Sequence, residues 1–325
     1  MPASHRLDLD LRPATLDDIG IVADLEATRD PEDPRDPEML RYWWTSGSDD
    51  EAILRLVAVR QGAAVAFLGA GHQRWQDMPE RFGWVRPIIR ADQWSEPAHL
   101  QLLGKGEAWL KSEGAAIAVS RVREDRRNEL DVVTRAGYRE VRRQNFSELD
   151  LVAKRDQLLA AAAKHRRRMQ DQGVELLALS DDKDPDRLAK LHVMMVAAEK
   201  DIPTTVPIPL MPFDRWKKFT FDNPGTREDR FWIAREGDAI VGMSVLDFPP
   251  VRGLPWTAFT ATSKEVRGRG IARALKYETI AQAIQLGFKR IRTSNDGANA
   301  PILHINSEMG YRLVVPLIEL HRDLA

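Results

Sequence analysis

Along this chain the apolar residues follow two rhythms, one of period two and one near 3.6, and the switches between them mark the elements. Leu176 to Leu179 predicts a short strand, and Pro185 to Glu199 a helix with Leu188, Leu191, Met194 and Met195 at core spacing. Phe231 to Arg235 and Ile240 to Phe248 read as a hairpin turning at Glu236-Gly237-Asp238. Trp256 to Thr262 is the next strand, with Pro255 confined to its beginning. Ile271 to Leu286 predicts a helix, apolar at Ile271, Leu275, Ile280 and Ile284 and closed by Gly287. A strand from Lys289 to Thr293 follows. The last helix starts at Asn299, a good N-cap, takes Pro301 in its first turn and ends at Met309 before Gly310. Lys200 to Pro212 carries too many prolines for a helix or a central strand. It reads equally as a pocket lid or as a rigid surface loop.

The same order of signals occurs twice. Arg55-Leu-Val-Ala-Val-Arg60-Gln-Gly62 returns as Arg230-Phe-Trp-Ile-Ala-Arg235-Glu-Gly237, an offset of 237 − 62 = 175. Gly114 and Gly287, and the pairs Gly137-Tyr138 and Gly310-Tyr311, repeat at 173 (287 − 114). Glu148-Leu-Asp-Leu151 is echoed by Arg322-Asp-Leu324. A fixed offset predicts two copies of one α+β unit, residues 1–151 and 174–325. Between them, 152–173 is rich in helix formers from Val152 to Met169, ends in Gly173 and predicts a helical connector. Its basic run, Lys164 to Arg168, lacks interleaved aromatics and reads as a solvated helix face.

Composition narrows the classes. At 325 residues with 43% hydrophobic content the chain can build two cores. It has no cysteine, which removes disulfides, thiolate nucleophiles and cysteine metal sites. Its 48 basic and 49 acidic residues nearly cancel, so the overall field favours neither nucleic acid nor an anionic membrane as partner. The N-terminus lacks an apolar core, and no apolar run approaches about twenty residues. These features predict a cytoplasmic protein without a metal, either a monomer or a homodimer.

The most specific chemistry lies in Thr260-Ala-Thr-Ser-Lys-Glu-Val-Arg-Gly-Arg-Gly-Ile-Ala272, a strand passing through glycines into a helix. Gly268 and Gly270 lack the Cβ atoms that would hold a phosphate away from main-chain N–H groups, and the helix N-terminus adds unpaired donors. Arg267, Arg269 and Arg273 add cations. No Lys-Ser/Thr follows the glycines, so this is not a Walker loop, and the glycine spacing is not that of a Rossmann turn.

The spacing Arg267-x-x-Gly270-x-Ala272 resembles the acyl-CoA motif of the GCN5-related N-acetyltransferase (GNAT) superfamily. Thr293-Ser-Asn295, Asn299-Ala-Pro-Ile-Leu and Asn306-Ser-Glu-Met-Gly-Tyr311 are similar to its second cofactor segment. The two-copy plan resembles its tandem type, that of mycothiol synthase-like proteins. The resemblance implies two tandem GNAT-like domains, α+β with three layers, each a mixed, mostly antiparallel twisted sheet flanked by helices. It also implies acetyl-CoA as co-substrate, held by Thr260, Ala261, Thr262, Arg267, Gly268, Arg269, Gly270, Ile271, Ala272, Arg273 and Asn299. The acceptor it implies is the amine of a small molecule, attacking the thioester directly in a ternary complex.

In the first copy Gln93 and Ser95 stand where Gly270 and Ala272 stand in the second, with Asp92 and Glu96 beside them. Side chains and like charge replace the phosphate seat, so the first copy is expected to bind no CoA and to serve as scaffold or pocket wall. Two catalytic groups of the superfamily have no counterpart here. The strand Trp256–Thr262 holds no carboxylate, which leaves Asp247, Glu199 and Asp201 as candidate bases. The leaving-group tyrosine is replaced by Asn306, which donates a hydrogen bond but supplies no proton. Tyr311 and His304 are possible substitutes. Two alternatives stay open: a non-catalytic acyl-CoA-binding or ligand-sensing protein, and a protein or peptide N-acetyltransferase.

Overall fold

The computed structural model describes residues 9–46, 51–202 and 204–324. The N-terminal segment and Pro203, both used in the sequence reading, lie outside the described residues. The first half contains β1 (Arg12–Pro13), α1 (Ile19–Ala27), α2 (Pro37–Thr45), β2 (Glu51–Arg60), β3 (Ala63–Gln73) and β4 (Phe82–Ile89). It continues with α3 (Glu96–Ser112), β5 (Ile117–Arg123), α4 (Arg127–Arg135) and β6 (Arg139–Asp150). After the connector α5 (Arg155–Asp171) the order returns as β7 (Glu175–Ala178), α6 (Arg187–Glu199), α7 (Phe213–Phe221), β8 (Phe231–Glu236), β9 (Ala239–Asp247) and β10 (Trp256–Thr262). The last four elements are α8 (Ile271–Gln285), β11 (Arg290–Asp296), α9 (Ala300–Met309) and β12 (Arg312–Asp323). Both halves have the GNAT-like plan expected from the sequence.

The twelve strands of the described residues form one sheet, in the order β1-β2-β3-β4-β5-β12-β6-β11-β10-β9-β8-β7. Only β4 with β5 and β10 with β11 run parallel. The centre departs from two self-contained domains, because the last strand of each half crosses into the other. β12 pairs with β5, from Leu317↔Arg123 to Asp323↔Ile117. β6 pairs with β11, from Gln144↔Asp296 to Asp150↔Arg290. Both ladders carry the offset of 173 without slippage (290 − 117, 323 − 150).

The cores follow the exchange. Ile318, Leu320 and Leu324 pack into the first half with Leu102, Leu110 and Val133. Leu149 and Leu151 pack into the second with Ile280, Ile284 and Ile291. Each fully buried aliphatic side chain contributes roughly 1.5–3 kcal/mol, so each half draws part of its stability from the other's sequence. Domain limits at 151 and 174 therefore follow the chain but not the packing.

The connector is not a free linker. Leu158 and Ala162 are buried against α8, His165 stacks on Tyr277 at 5.0 Å, and Arg166 pairs with Glu278. No helix among the described residues is long and apolar enough to cross a membrane.

Candidate active site

β10 and β11 pair only at Trp256↔Arg292 and Thr257↔Thr293, and then diverge. A bulge between Thr257 and Phe259 breaks the register of β10 against β9, which then continues to Thr262↔Gly242. The β10 edge facing β11 thus presents main-chain groups that no strand satisfies. A cavity of about 980 Å³ occupies the splay, floored by Thr257 to Thr262 and walled by Thr293 to Asp296.

The helix mouth at the open end is built from glycine. Gly268 and Gly270 have φ of +82° and +93°, left-handed values that cost other residues about 1–2 kcal/mol. Gly270 is the N-cap of α8 and supplies no side-chain cap, so the first-turn N–H groups keep their hydrogen-bonding capacity. A Cβ built on Gly268 would meet nothing within 4 Å, and one on Gly270 would meet only the Arg168 guanidinium at 3.9 Å. Open space before uncapped donors suits a diphosphate.

Ten of the eleven residues assigned to the cofactor line this cavity. Arg269 does not: its guanidinium turns away to Glu236 at 2.8 Å. Arg267 pairs with Asp201 at 2.6 Å and Arg273 with Glu308 at 2.5 Å. A cation beside the mouth that the sequence reading missed is Arg168. It belongs to the basic run read as solvent-facing, yet packing of α5 on α8 brings it to Gly270.

The corresponding mouth in the first half is shut. The Ser95 hydroxyl caps α3 by accepting from Ala98 N at 3.3 Å, Glu96 and Pro97 follow, and Arg90 is held by Asp92 at 2.6 Å. Ser95, not Gln93, occupies the N-cap position that Gly270 holds in α8. A short helical turn precedes each helix, Ala91–Gln93 before α3 and Lys264–Val266 before α8, but the linking stretch is shorter in the first half, Trp94 and Ser95 against Arg267 to Gly270. The splay between β4 and β5 holds a second cavity of about 500 Å³, crossed by ion pairs such as Arg86–Glu26 at 2.7 Å and Arg123–Asp30 at 2.9 Å.

The three proposed catalytic residues part company. Asp247 pairs in register with Trp256, at the end of β10 where β11 is still attached, and lines the second cavity instead. It accepts from Thr226 Oγ1 at 2.8 Å, and burial raises its pKa. Glu199 closes α6 beside Ala198 and Asp201, which line the main cavity, and burial raises its pKa as well. Asp201 is held low by hydrogen bonds from Arg267 and Lys264. Asn306 lies behind the wall, donating Nδ2–H to Asn295 Oδ1 at 2.7 Å, while its own Oδ1 has no partner. His304 is an exposed residue paired with Glu308 at 3.4 Å. Asn299 caps α9 by accepting from Ile302 N at 3.4 Å.

Lys276 escaped the sequence reading. It is 1% exposed, lines the main cavity, and holds Nζ 5.2 Å from the centroid of the Tyr311 ring. Burial lowers its pKa to about 8. The α8 pattern offered one signal, since Ile271, Leu275, Ile280, Ala283 and Ile284 spread around the helix and not along a single stripe, as in a helix buried on several sides.

The first half also supplies a wall. Arg142 and Gln144 of β6 line the cavity, with Arg142 Nε donating to Asp296 at 2.5 Å. The proline-dense segment leans the other way: Thr205 Oγ1 donates to Glu319, which also accepts from Arg121 at 2.8 Å and pairs with His321 at 3.0 Å. Val206 to Pro209 line a cavity of about 220 Å³ with Trp84 and Arg121 of the first half. Among the described residues no group of three or more His, Asp or Glu is placed to hold a metal ion.

A parallel pair that splays beside a glycine-mouthed helix, in a mixed sheet flanked by helices, defines the class: this is the GNAT fold. Residues 195–307, all within the second half, match the model of the Acetyltransferase (GNAT) family. Among solved structures, the chain is similar to a GCN5-related N-acetyltransferase from Sphaerobacter thermophilus, at 18% identity and a TM-score of 0.68, covering 97% of this chain and 95% of that one. It is also similar to a tandem GNAT protein from the clavulanic acid biosynthesis pathway, at 12% identity and a TM-score of 0.73, covering 97% and 98%. FemX shares the fold at 11% identity and a TM-score of 0.59, with 97% of each chain covered. Identities this low establish the fold alone. No curated protein sequence matches the chain.

Proposed function

We propose that the chain transfers an acetyl group from acetyl-CoA to an amine of a small molecule, by direct attack in a ternary complex within the second half. The observation that carries this reading is the uncapped α8 mouth opening onto the unpaired edge of β10. The mouth accepts the diphosphate, and the β10 edge accepts the amide arm as an added strand. One β10 N–H then faces the thioester carbonyl, a donor worth about 3 kcal/mol of barrier when preorganised. With no cysteine in the chain, no cysteine thioester intermediate is needed or available.

The acceptor enters opposite the diphosphate, between the 201–209 segment and β6. Thr205 ties that segment to Glu319, and Arg142 closes the wall, which favours a compact acceptor over a protein chain. Glu199 serves as base through water, its raised pKa bringing it nearer the working range. The first half, its mouth capped by Ser95, is a wall and carries no CoA.

Calorimetry with acetyl-CoA and free-thiol release over a panel of amines test this reading. One acetyl-CoA per chain and amine-dependent thiol release are expected. Binding without release for any amine points to a ligand-sensing module, and no binding overturns the reading.

A further inference from the structure

Lys276 lies six residues beyond Gly270, about 9 Å along the helix from the mouth. The Tyr311 ring beneath its Nζ places its hydroxyl against Thr257, where β10 is still joined to β11. The lysine therefore marks the closed end of a cleft whose open end is the phosphate seat. No carboxylate among the described residues pairs with it, and only burial shifts its pKa. On the wall of the same cleft, behind Asn295, the buried Asn306 Oδ1 also lacks a partner. A cation kept dry without a counter-ion is in place for an anion that forms during the reaction.

We propose that the Lys276 ammonium receives the leaving CoA thiolate and gives it a proton, a task for which α9 offers only the Asn306 amide. This rests on the cleft being the acetyl-CoA site. The acceptor nitrogen forms a bond to the carbonyl carbon. As the carbonyl re-forms, the C–S bond breaks and its electron pair goes to sulfur. A proton passes from Nζ to sulfur, giving the thiol and a neutral amine. Lys276 recovers a proton through water from the one lost by the acceptor nitrogen, so each cycle closes. A pKa of about 8 suits both exchanges.

The chain has no cysteine, so the thiol of bound CoA is the only thiol in the complex and its thiolate absorbance can be titrated directly. The charged and titratable groups around it are Tyr311, the Arg142–Asp296, Arg267–Asp201 and Arg273–Glu308 pairs, His304 and Arg168, all unchanged in the variants. In the native complex the CoA thiol should titrate about one unit below free CoA, and Lys276→Met should restore the free value while CoA stays bound. Lys276→Gln repeats the measurement if the methionine variant folds poorly. Turnover should fall about 100-fold in Lys276→Met and equally in Lys276→Arg, whose guanidinium keeps the charge but releases no proton. An unchanged thiol titration in Lys276→Met with CoA bound overturns the proposal and leaves the acetyl-CoA reading intact. Native turnover in Lys276→Arg overturns the proton transfer. A native chain that binds no CoA overturns both.

Discussion

Gln144 and Leu317 face each other in the central ladder, and each is the other's counterpart in the repeat, since 317 − 144 = 173. The pair marks a pseudo-twofold axis between β6 and β12. About it Arg142↔Glu319 mirrors Phe146↔Val315, and Arg139↔His321 mirrors Arg312↔Glu148. The two halves are thus arranged as an isologous dimer would be, within one chain.

Because the exchanged strands knit the cores, the halves should unfold together. Calorimetry should show a single transition, and Ile318→Ala, a β12 residue inside the first-half core, should lower it by the equivalent of about 2–5 kcal/mol. Two separate transitions, with only one shifted, would show that the halves fold independently.

Gly270→Ala should cost about 1–2 kcal/mol of stability through its left-handed φ, and Gly270→Trp should also fill the mouth and abolish acetyl-CoA binding. Calorimetric titration of the folded tryptophan variant checks this; native affinity would count against the phosphate seat.

Arg168, which reaches the mouth, and Arg269, which turns away from it, should behave differently. Arg168→Gln should weaken acetyl-CoA binding about tenfold, an effect of roughly 1.4 kcal/mol, and reduce the salt dependence of binding. Arg269→Gln, which loses bonds to Glu236 and Gln172 that both lie away from the cavity, should bind within twofold of the native chain on the ordinary scale of surface pairs.

Glu319 and Lys276 predict pH dependences of the same sign in two separate windows, one acid and one alkaline. Burial pushes the Glu319 carboxyl up, but His321, Thr205 and Arg121 outweigh it and hold it at about 2. Its contribution is therefore complete above the ordinary carboxylate range and is lost as pH falls toward 2. Glu319→Gln should remove that part of the acid sensitivity seen in urea midpoints and free the 204–209 segment to proteolysis. For Lys276 the folded pKa is lowered, so the unfolded chain holds more protons between about 8 and the ordinary 10.5. Native stability should rise across that window relative to Lys276→Met, whose curve lacks the rise.

Much of the fold was legible in the residues. The offset of 173 recurs in the strand ladders, and Gly268-Arg-Gly270 before an apolar helix marked the open, uncapped mouth of α8, because both positions take a positive φ. The strand exchange was not legible. Alternation shows that a segment is a strand but not which neighbour it pairs with, and Glu148–Leu151 and Arg322–Leu324 fit either partner. Arg168 was hidden because a cation on a connector gains its meaning only when α5 docks on α8. Asp247 misled because it follows the right strand but stands at the joined end of the splay, and Lys276 because a lysine between Leu275 and Tyr277 reads as a surface residue.

The crossing of β6 and β12 has a further bearing on why a half with a capped, ion-paired cleft is kept at full length. Its final strand is a structural member of the working half, and the working half's final strand is a member of it. Neither can be pruned without opening the sheet of the other. A lobe whose own helix mouth is capped remains indispensable as the frame in which its twin is strung.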